Sequence, residues 1–244
     1  MNNLLKTYNF SNFEIVKGNG CYLYTADNKK LLDFSAGVAV NSLGYNHSIV
    51  KKTIQEQLKT GITHLSGSQI HLYKYKLSQL LSKESNKGDV FFSNSGAESI
   101  EAALKIARNF GSSKGRDEII AMTSSFHGRT IGALSVGSNK AYKTDIGPVP
   151  GKVKFCKFND SKNLKQLINK KTLAIIIEFI QGDGGINICS RDFAKTIKDI
   201  CKKRKILLIA DEIQGGIGRR GKVFVYKYYD IFLDNIKCEK VFNS

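Results

Sequence analysis

Short apolar runs alternate with segments of helical period along most of this 244-residue chain. The runs are short enough to be buried strands and lie at 89–92, 118–122, 173–178 and 206–210. Apolar residues recur at helical spacing in the segments 48–59, 69–82, 95–110, 127–136, 164–169 and 191–203. This alternation predicts an α/β fold whose mostly parallel sheet is flanked by helices. In such a sheet, ligands bind at the carboxyl ends of the strands.

The first 45 residues have a different pattern. Two short apolar stretches, 21–24 and 31–34, flank Asp27 and Asn28, which predicts a β-hairpin with a tight turn. We therefore expect an N-terminal segment over residues 1–45 and a larger domain over 46–244.

Composition and charge exclude several classes of protein. The chain is 41% hydrophobic and 24% charged, which is ordinary for a globular protein with a packed core. Its net charge is +17, but the lysines are dispersed and not interleaved with aromatic residues, so we expect no nucleic-acid partner. The longest apolar run, 173–177, is followed by Glu178, which argues against a membrane span.

The N-terminus and the cysteines bear on location and metal binding. The opening residues lack the apolar core of a signal peptide, so we expect a cytoplasmic protein. The five cysteines form no C-x-x-C pair, which favours free thiols and no metal site.

A helix start follows the run at 89–92. Ser95 and Glu98 have the spacing of a capping box, and the small residues Gly96 and Ala97 lie between them. Free N–H groups at a helix N-terminus bind phosphate well. A capping box without a ligand is the commoner case, so this pattern alone leaves both interpretations open.

Phe126, His127 and Arg129 come together after the second strand. One interpretation is a surface turn with a structural histidine. The other is an aromatic plate for a flat ring, beside a guanidinium that grips a carboxylate through two hydrogen bonds.

Two carboxylates, Asp211 and Glu212, follow the apolar strand at 206–210. Burying a carboxylate is costly unless a cation accompanies it, and a protonated ring nitrogen would be such a cation. Alternatively, Asp211 caps the next turn and Glu212 faces solvent.

These stretches carry a resemblance to a known family. The chain resembles the class III pyridoxal-phosphate aminotransferases, most closely the acetylornithine/ornithine branch, through residues 32–47, 94–98, 125–130, 181–186 and 211–221. The succinylornithine and 4-aminobutyrate enzymes share most of these stretches. The resemblance implies a fold-type I pyridoxal-phosphate-dependent transferase, in which 1–45 belongs to the small domain and 46–244 forms an incomplete large domain. The C-terminal domain is expected to be absent.

The resemblance implies roles for the residues at the cofactor. The backbone of Gly96 and Ala97, with Ser95, would hold the phosphate of pyridoxal 5'-phosphate. Phe126 would stack on the pyridine ring. Asp211 would pair with the pyridinium nitrogen and keep it protonated, so that the ring can act as an electron sink.

Further roles concern the substrate and the reactive amine. Gln214 would contact the phenolic oxygen of the cofactor, Arg129 would bind the α-carboxylate of the substrate, and Glu178 would lie near the substrate amine or a carboxylate-binding arginine. Lys240 falls at the position of the lysine that links to the cofactor in the family. Its neighbours, Glu239 and Val241, differ from the small residues usual there.

The implied activity is transamination. An amino group would pass from N-acetylornithine or ornithine to 2-oxoglutarate, in arginine biosynthesis or ornithine metabolism, within a homodimer. The alternative is a catalytically inert, truncated fragment of such an enzyme, which the unusual tail after Asp234 favours.

Overall fold

The structure is a computed structural model and describes residues 5, 10–85, 87–144 and 146–230, together with the backbone of 237–238. It divides into two compact units, Met1–His71 and Leu72–Ser244. The domain boundary expected after residue 45 stays a prediction. Across the described part of the chain, no helix has both the length and the apolar character needed to cross a membrane.

The first unit contains a three-stranded antiparallel sheet in the order β1-β2-β3. The predicted hairpin is confirmed: β2 and β3 pair across a turn in which Asn28 has a positive φ of 63°. The unit also contains a left-handed turn, α1, and a helix, α2, whose bounds match the predicted 48–59. The elements are β1 (Ile15–Asn19), β2 (Tyr22–Thr25), β3 (Lys30–Leu32), α1 (Ala36–Ala39) and α2 (Ser48–Lys59).

The second unit alternates helices and strands. Its elements are α3 (Leu72–Glu84), α4 (Gly96–Ser112), β4 (Glu118–Met122), α5 (Ile131–Val136), β5 (Lys152–Cys156), α6 (Ser161–Leu167), β6 (Thr172–Ile177), β7 (Ile180–Gln181), β8 (Asn187–Ile188), α7 (Arg191–Arg204), β9 (Leu207–Asp211) and β10 (Lys237–Cys238). Two 3₁₀ turns, Lys140–Lys143 and Val225–Tyr229, complete it.

Five of these strands form one sheet in the order β10-β9-β6-β4-β5, and every pair in it is parallel. Successive residues of a strand point to opposite faces, so Ile119 and Ile120 of β4 enter two different buried clusters. Helices α4 and α5 pack on one face, while α3, α6 and α7 pack on the other. The predicted α/β fold with a parallel sheet between helices is confirmed.

Two element predictions were wrong. Residues 89–92 are irregular rather than a buried strand; Phe91 is 75% exposed, and no described strand pairs with this segment. The helix expected over 127–136 begins only at Ile131, because Gly128 has a φ of 129°, which is incompatible with an α-helix. As a result, residues 124–130 form a loop at the carboxyl end of β4.

Candidate functional site

A buried ion pair joins the carboxyl ends of two strands. Asp211 ends β9, and its Oδ2 lies 2.7 Å from Nδ1 of His127 in the loop after β4. The two side chains are 4% and 0% exposed. Burial lowers the pKa of His127, but the hydrogen bond and charge of Asp211, together with the charge of Glu178, more than offset this effect and raise it.

A second buried carboxylate supports the same loop. Glu178 follows β6, is only 6% exposed, and its Oε2 accepts a hydrogen bond of 3.0 Å from the backbone N–H of Phe126. Burial raises the pKa of Glu178 to about 7, although the charge of His127 opposes the shift. Phe126 and His127 are therefore tied to the ends of two neighbouring strands, β6 and β9.

Glu212 does not face solvent. It is 1% exposed, and its carboxylate accepts hydrogen bonds from the N–H groups of Val225, at 2.8 Å, and Tyr226, at 3.0 Å. Burial raises the pKa of Glu212 to about 7. The side chain thus anchors the 3₁₀ turn at Val225–Tyr229 to the end of β9.

The start of α4 lies at the same edge of the sheet. The predicted capping box is present: the Ser95 hydroxyl accepts from the N–H of Glu98, and the Glu98 side chain accepts from the N–H of Ser95. The N–H groups of Gly96 and Ala97 have no partner among the residues that the structure describes. They are therefore available to an anion.

Close packing brings this helix start against the other site segments. A Cβ atom on Gly96 would lie 2.9 Å from Cγ2 of Ile213, two residues beyond Asp211. A Cβ atom on Gly128 would lie 2.9 Å from Cβ of Ala97. The glycines allow the helix start, the loop after β4 and the end of β9 to converge.

Aromatic rings surround the predicted substrate arginine. Phe126 packs edge-to-face on Tyr142, with ring centroids 5.8 Å apart. The guanidinium carbon of Arg129 lies 5.6 Å from the Phe126 ring centroid and 5.1 Å from that of Tyr142. Arg129 is exposed.

Gln214 lies over the loop that joins β7 and β8. A Cβ atom on Gly182 would coincide with the Gln214 amide oxygen, so the side chain of Gln214 directly covers that glycine. Buried Gln181 donates a 2.7 Å hydrogen bond to the carbonyl of Thr123. This loop is thereby joined to the loop after β4.

Gly184 is the tightest point of that junction, and its replacement by alanine is expected to cost about 2 kcal/mol in the free energy of unfolding. The new Cβ would lie 2.2 Å from the backbone oxygen of Ser124, which must shift. Chemical denaturation of both proteins measures the loss. Gly67→Ala is the control, since a Cβ there meets nothing within 4 Å. Equal stability of the two variants would contradict the tight contact.

The structure thus brings most of the predicted site residues to one edge of the sheet. Ser95, Gly96, Ala97, Phe126, Arg129, Glu178, Asp211 and Gln214 all lie on segments that follow strands or begin α4. Lys240 lies outside the described residues. The roles assigned to all of these residues remain predictions.

Sequence analysis singled out His127 and Glu212 without assigning them a role in the site, and it did not single out Tyr142 or Gln181. Each is defined by a contact with a distant segment, and no local spacing indicates such a contact. The apolar strand before Glu212 was the one usable signal, because a residue directly after a buried strand is often buried itself.

Comparison with known proteins identifies the family. The aminotransferase class-III profile matches residues 6–243. The chain belongs to the class-III aminotransferase family.

The curated relatives include the acetylornithine aminotransferase of Clostridium acetobutylicum, which is 42% identical over 97% of this chain and 62% of its own length. The acetylornithine/succinyldiaminopimelate aminotransferase of Buchnera aphidicola is 40% identical over 97% of this chain and 59% of its own length. The chain therefore spans about three-fifths of the length of these relatives.

Solved structures give the same fold. The ornithine aminotransferase of Toxoplasma gondii matches with a TM-score of 0.89 and 26% identity, over 96% of this chain and 56% of that protein. An amine transaminase from an uncultivated Pseudomonas species, crystallised with PLP bound, matches with a TM-score of 0.87 and 26% identity. That match covers 94% of this chain and 58% of that protein. The fold is that of the PLP-dependent transaminases.

Proposed function

We propose that this chain binds pyridoxal 5'-phosphate and takes part in transamination of N-acetylornithine or ornithine with 2-oxoglutarate. The observation that carries the proposal is the buried carboxylate of Asp211 at the carboxyl end of β9, beside a loop that presents an aromatic ring. Each oxygen of this carboxylate accepts one hydrogen bond, from His127 or from the N–H of Ile213, and has a lone pair left to which a pyridinium N–H could donate. The acetylornithine relatives indicate the amino donor.

The residues present fit the cofactor at both of its ends. The N–H groups of Gly96 and Ala97 are available at the N-terminus of a 17-residue helix, where phosphate binds favourably. Asp211 would accept a hydrogen bond from the ring nitrogen, with Phe126 against the face of the ring. When bound, pyridoxal phosphate supplies an electron sink for the electron pair released at the substrate α-carbon.

The remaining roles concern the substrate and the proton. The exposed guanidinium of Arg129 would bind the α-carboxylate, and Gln214 would donate to the phenolic oxygen of the cofactor. Glu178 would hold the backbone of Phe126 through the hydrogen bond from its N–H, and would lie near the substrate amine or a carboxylate-binding arginine. The amine of Lys240 would link to the cofactor and move a proton at the α-carbon. Strand β10 runs parallel to β9, with Cys238 opposite Asp211.

The reaction would take place in the cytoplasm, in a homodimer. Cys156, Cys189 and Cys201 are buried free thiols, which is typical of a reducing compartment. The family resemblance supports the dimer.

A second candidate function is cofactor binding without turnover. Glu239 and Val241 replace the small residues that flank the family's lysine, and this departure favours it. The two candidates differ in the linkage to Lys240.

Trapping with borohydride distinguishes these candidates. The full chain is mixed with pyridoxal phosphate, its absorbance is recorded, and the reduced protein is digested and mapped by mass spectrometry. Transamination predicts one adduct, on Lys240, which disappears in Lys240→Ala and persists in the matched control Lys237→Ala. Glutamate formation from 2-oxoglutarate with each amino donor then identifies the substrate.

The other results have definite meanings. Saturable binding with no adduct on Lys240 would favour the non-catalytic candidate. Failure to bind pyridoxal phosphate would contradict both.

A further inference from the structure

The side chain of His127 makes one hydrogen bond to the residues that the structure describes. Its ring is fully buried, Nδ1 lies 2.7 Å from Oδ2 of Asp211, and Nε2 has no hydrogen-bond partner among the described residues. The two residues are 84 positions apart, so the contact depends on the fold rather than on local sequence. A hydrogen bond in the protein interior is electrostatically stronger than one in water and helps to rigidify the groups that it joins.

The carboxylate of Asp211 is fixed at both oxygens. Oδ1 accepts a 3.0 Å hydrogen bond from the N–H of Ile213, while Oδ2 faces His127. The χ2 torsion of aspartate is broad when nothing restrains it. Loss of His127 would therefore leave Oδ2 without a donor and allow the carboxylate plane to rotate.

The residue before His127 is fixed independently. The N–H of Phe126 donates to Glu178 at the end of β6, while the ring of His127 binds the end of β9. One dipeptide therefore sets the position of an aromatic ring and the orientation of a carboxylate.

We propose that His127 is a positioning residue, which holds the Asp211 carboxylate oriented to accept the ring N–H of a protonated pyridine. The inference rests on the proposed cofactor site and deepens it. The geometry supports it: Oδ2 faces the imidazole and Oδ1 accepts from the N–H of Ile213, so both oxygens are restrained while each keeps a lone pair for a ring N–H.

The test compares two ligands on the full chain. One is pyridoxal phosphate, and the other is its carbocyclic analogue, in which CH replaces the ring nitrogen. Dissociation constants are measured by equilibrium dialysis for the unsubstituted chain and for His127→Leu, His127→Asn and His127→Gln. Circular dichroism establishes that each variant is folded.

The unsubstituted chain is expected to prefer pyridoxal phosphate over the analogue. His127→Leu should weaken the binding of pyridoxal phosphate about tenfold, which corresponds to the loss of a hydrogen bond to a charged group. The binding of the analogue should not change. His127→Asn, whose amide nitrogen can occupy the place of Nδ1, should keep the preference. His127→Gln, whose amide reaches toward the place of Nε2, should lose it.

A purely structural role for His127 would weaken both ligands equally, and that result would overturn the inference. An unchanged preference in His127→Leu would do the same. If His127→Leu does not fold, the Asn and Gln variants decide: equal preference in both overturns the inference, and loss in Gln alone supports it. If the unsubstituted chain binds neither ligand, the proposed cofactor site is wrong as well. If the unsubstituted chain binds pyridoxal phosphate and the His127 variants keep its preference over the analogue, only the role of His127 is wrong.

Discussion

Replacing Asp211 with asparagine is expected to lower the free energy of unfolding by about 3 kcal/mol at pH 6. The side chain is 4% exposed and receives hydrogen bonds from His127 and from the N–H of Ile213. An asparagine amide has one oxygen, so its NH₂ group would oppose one of these two donors. The remaining imidazole would also lose its counter-charge inside the protein.

The pH of this measurement matters because the pKa of His127 is raised. A raised histidine pKa contributes stability that is fully present below the ordinary value of 6.5 and is lost as the pH rises through the folded-state value. The cost of Asp211→Asn should therefore shrink above neutral pH. Urea unfolding at pH 6 and pH 9 measures both values.

A matched substitution on the surface provides the control. Asp199 forms an exposed ion pair with Lys195 at 2.9 Å, and Asp199→Asn should change stability little. In the His127→Leu background, where the hydrogen bond to Asp211 is absent, Asp211→Asn should cost about 1 to 2 kcal/mol less than in the unsubstituted chain. Equal effects of the Asp199 and Asp211 substitutions, or no coupling to His127, would contradict the buried ion pair.

The central strands of the sheet could be predicted because burial on both faces leaves a direct mark on the sequence. Glu118–Met122 was predicted with the observed bounds, and the runs at 173–178 and 206–210 differ by one residue at each end from β6 and β9. Each run is apolar without alternation, as expected for a strand covered on both faces.

Strand β5 at the sheet edge escaped prediction for the opposite reason. In Lys152–Cys156, lysines alternate with apolar residues, and the segment is short. Lys152 and Lys154 make ion pairs with Asp117 and Glu118. These partners come within reach only because β4 lies beside β5, so the sequence of β5 alone does not indicate a strand. The error at 89–92 has the same origin, because an apolar run forms a strand only where a neighbour accepts its hydrogen bonds.

The site divides in the same way into local and distant features. The capping box at Ser95 and the carboxylate at Asp211 follow from spacing and from position after a strand. The burial of His127 depends on Asp211, and the burial of Glu212 depends on the N–H groups of Val225 and Tyr226. Such pairings are set by the fold, so local sequence spacing could not reveal them.

Glu212 also predicts how stability depends on pH. Its pKa is raised to about 7, chiefly by burial, from an ordinary value of 4.5. Between these values the folded state binds a proton that the unfolded state has lost, so the free energy of unfolding falls as the pH rises. The loss is complete above about pH 7 and corresponds to about 3 kcal/mol for this group alone.

Glu178 and His127 act in the same direction. The pKa of Glu178 is also raised to about 7 by burial, and the raised pKa of His127 likewise gives stability that disappears as the pH rises. Lys152 lowers the pKa of Asp117, and Lys154 lowers the pKa of Glu118. The stability that these two carboxylates contribute is therefore lost only as the pH falls through their folded-state pKa values. Stability should therefore be greatest near pH 5 and decline toward pH 8.

The variant Glu212→Gln isolates the contribution of this carboxylate. Glutamine offers one acceptor oxygen for the two N–H groups of Val225 and Tyr226, a loss that does not change with pH. The variant also avoids burying a charge, and that advantage grows with pH. Its stability relative to the unsubstituted chain should therefore rise by about 3 kcal/mol between pH 4.5 and pH 8, measured by urea unfolding.

Ile209→Val, a buried substitution without an ionisable group, should show a constant difference across this range. A constant difference for Glu212→Gln as well would mean that Glu212 keeps its charge in the folded protein at no cost, contrary to its burial between β9 and the turn at Val225–Tyr229.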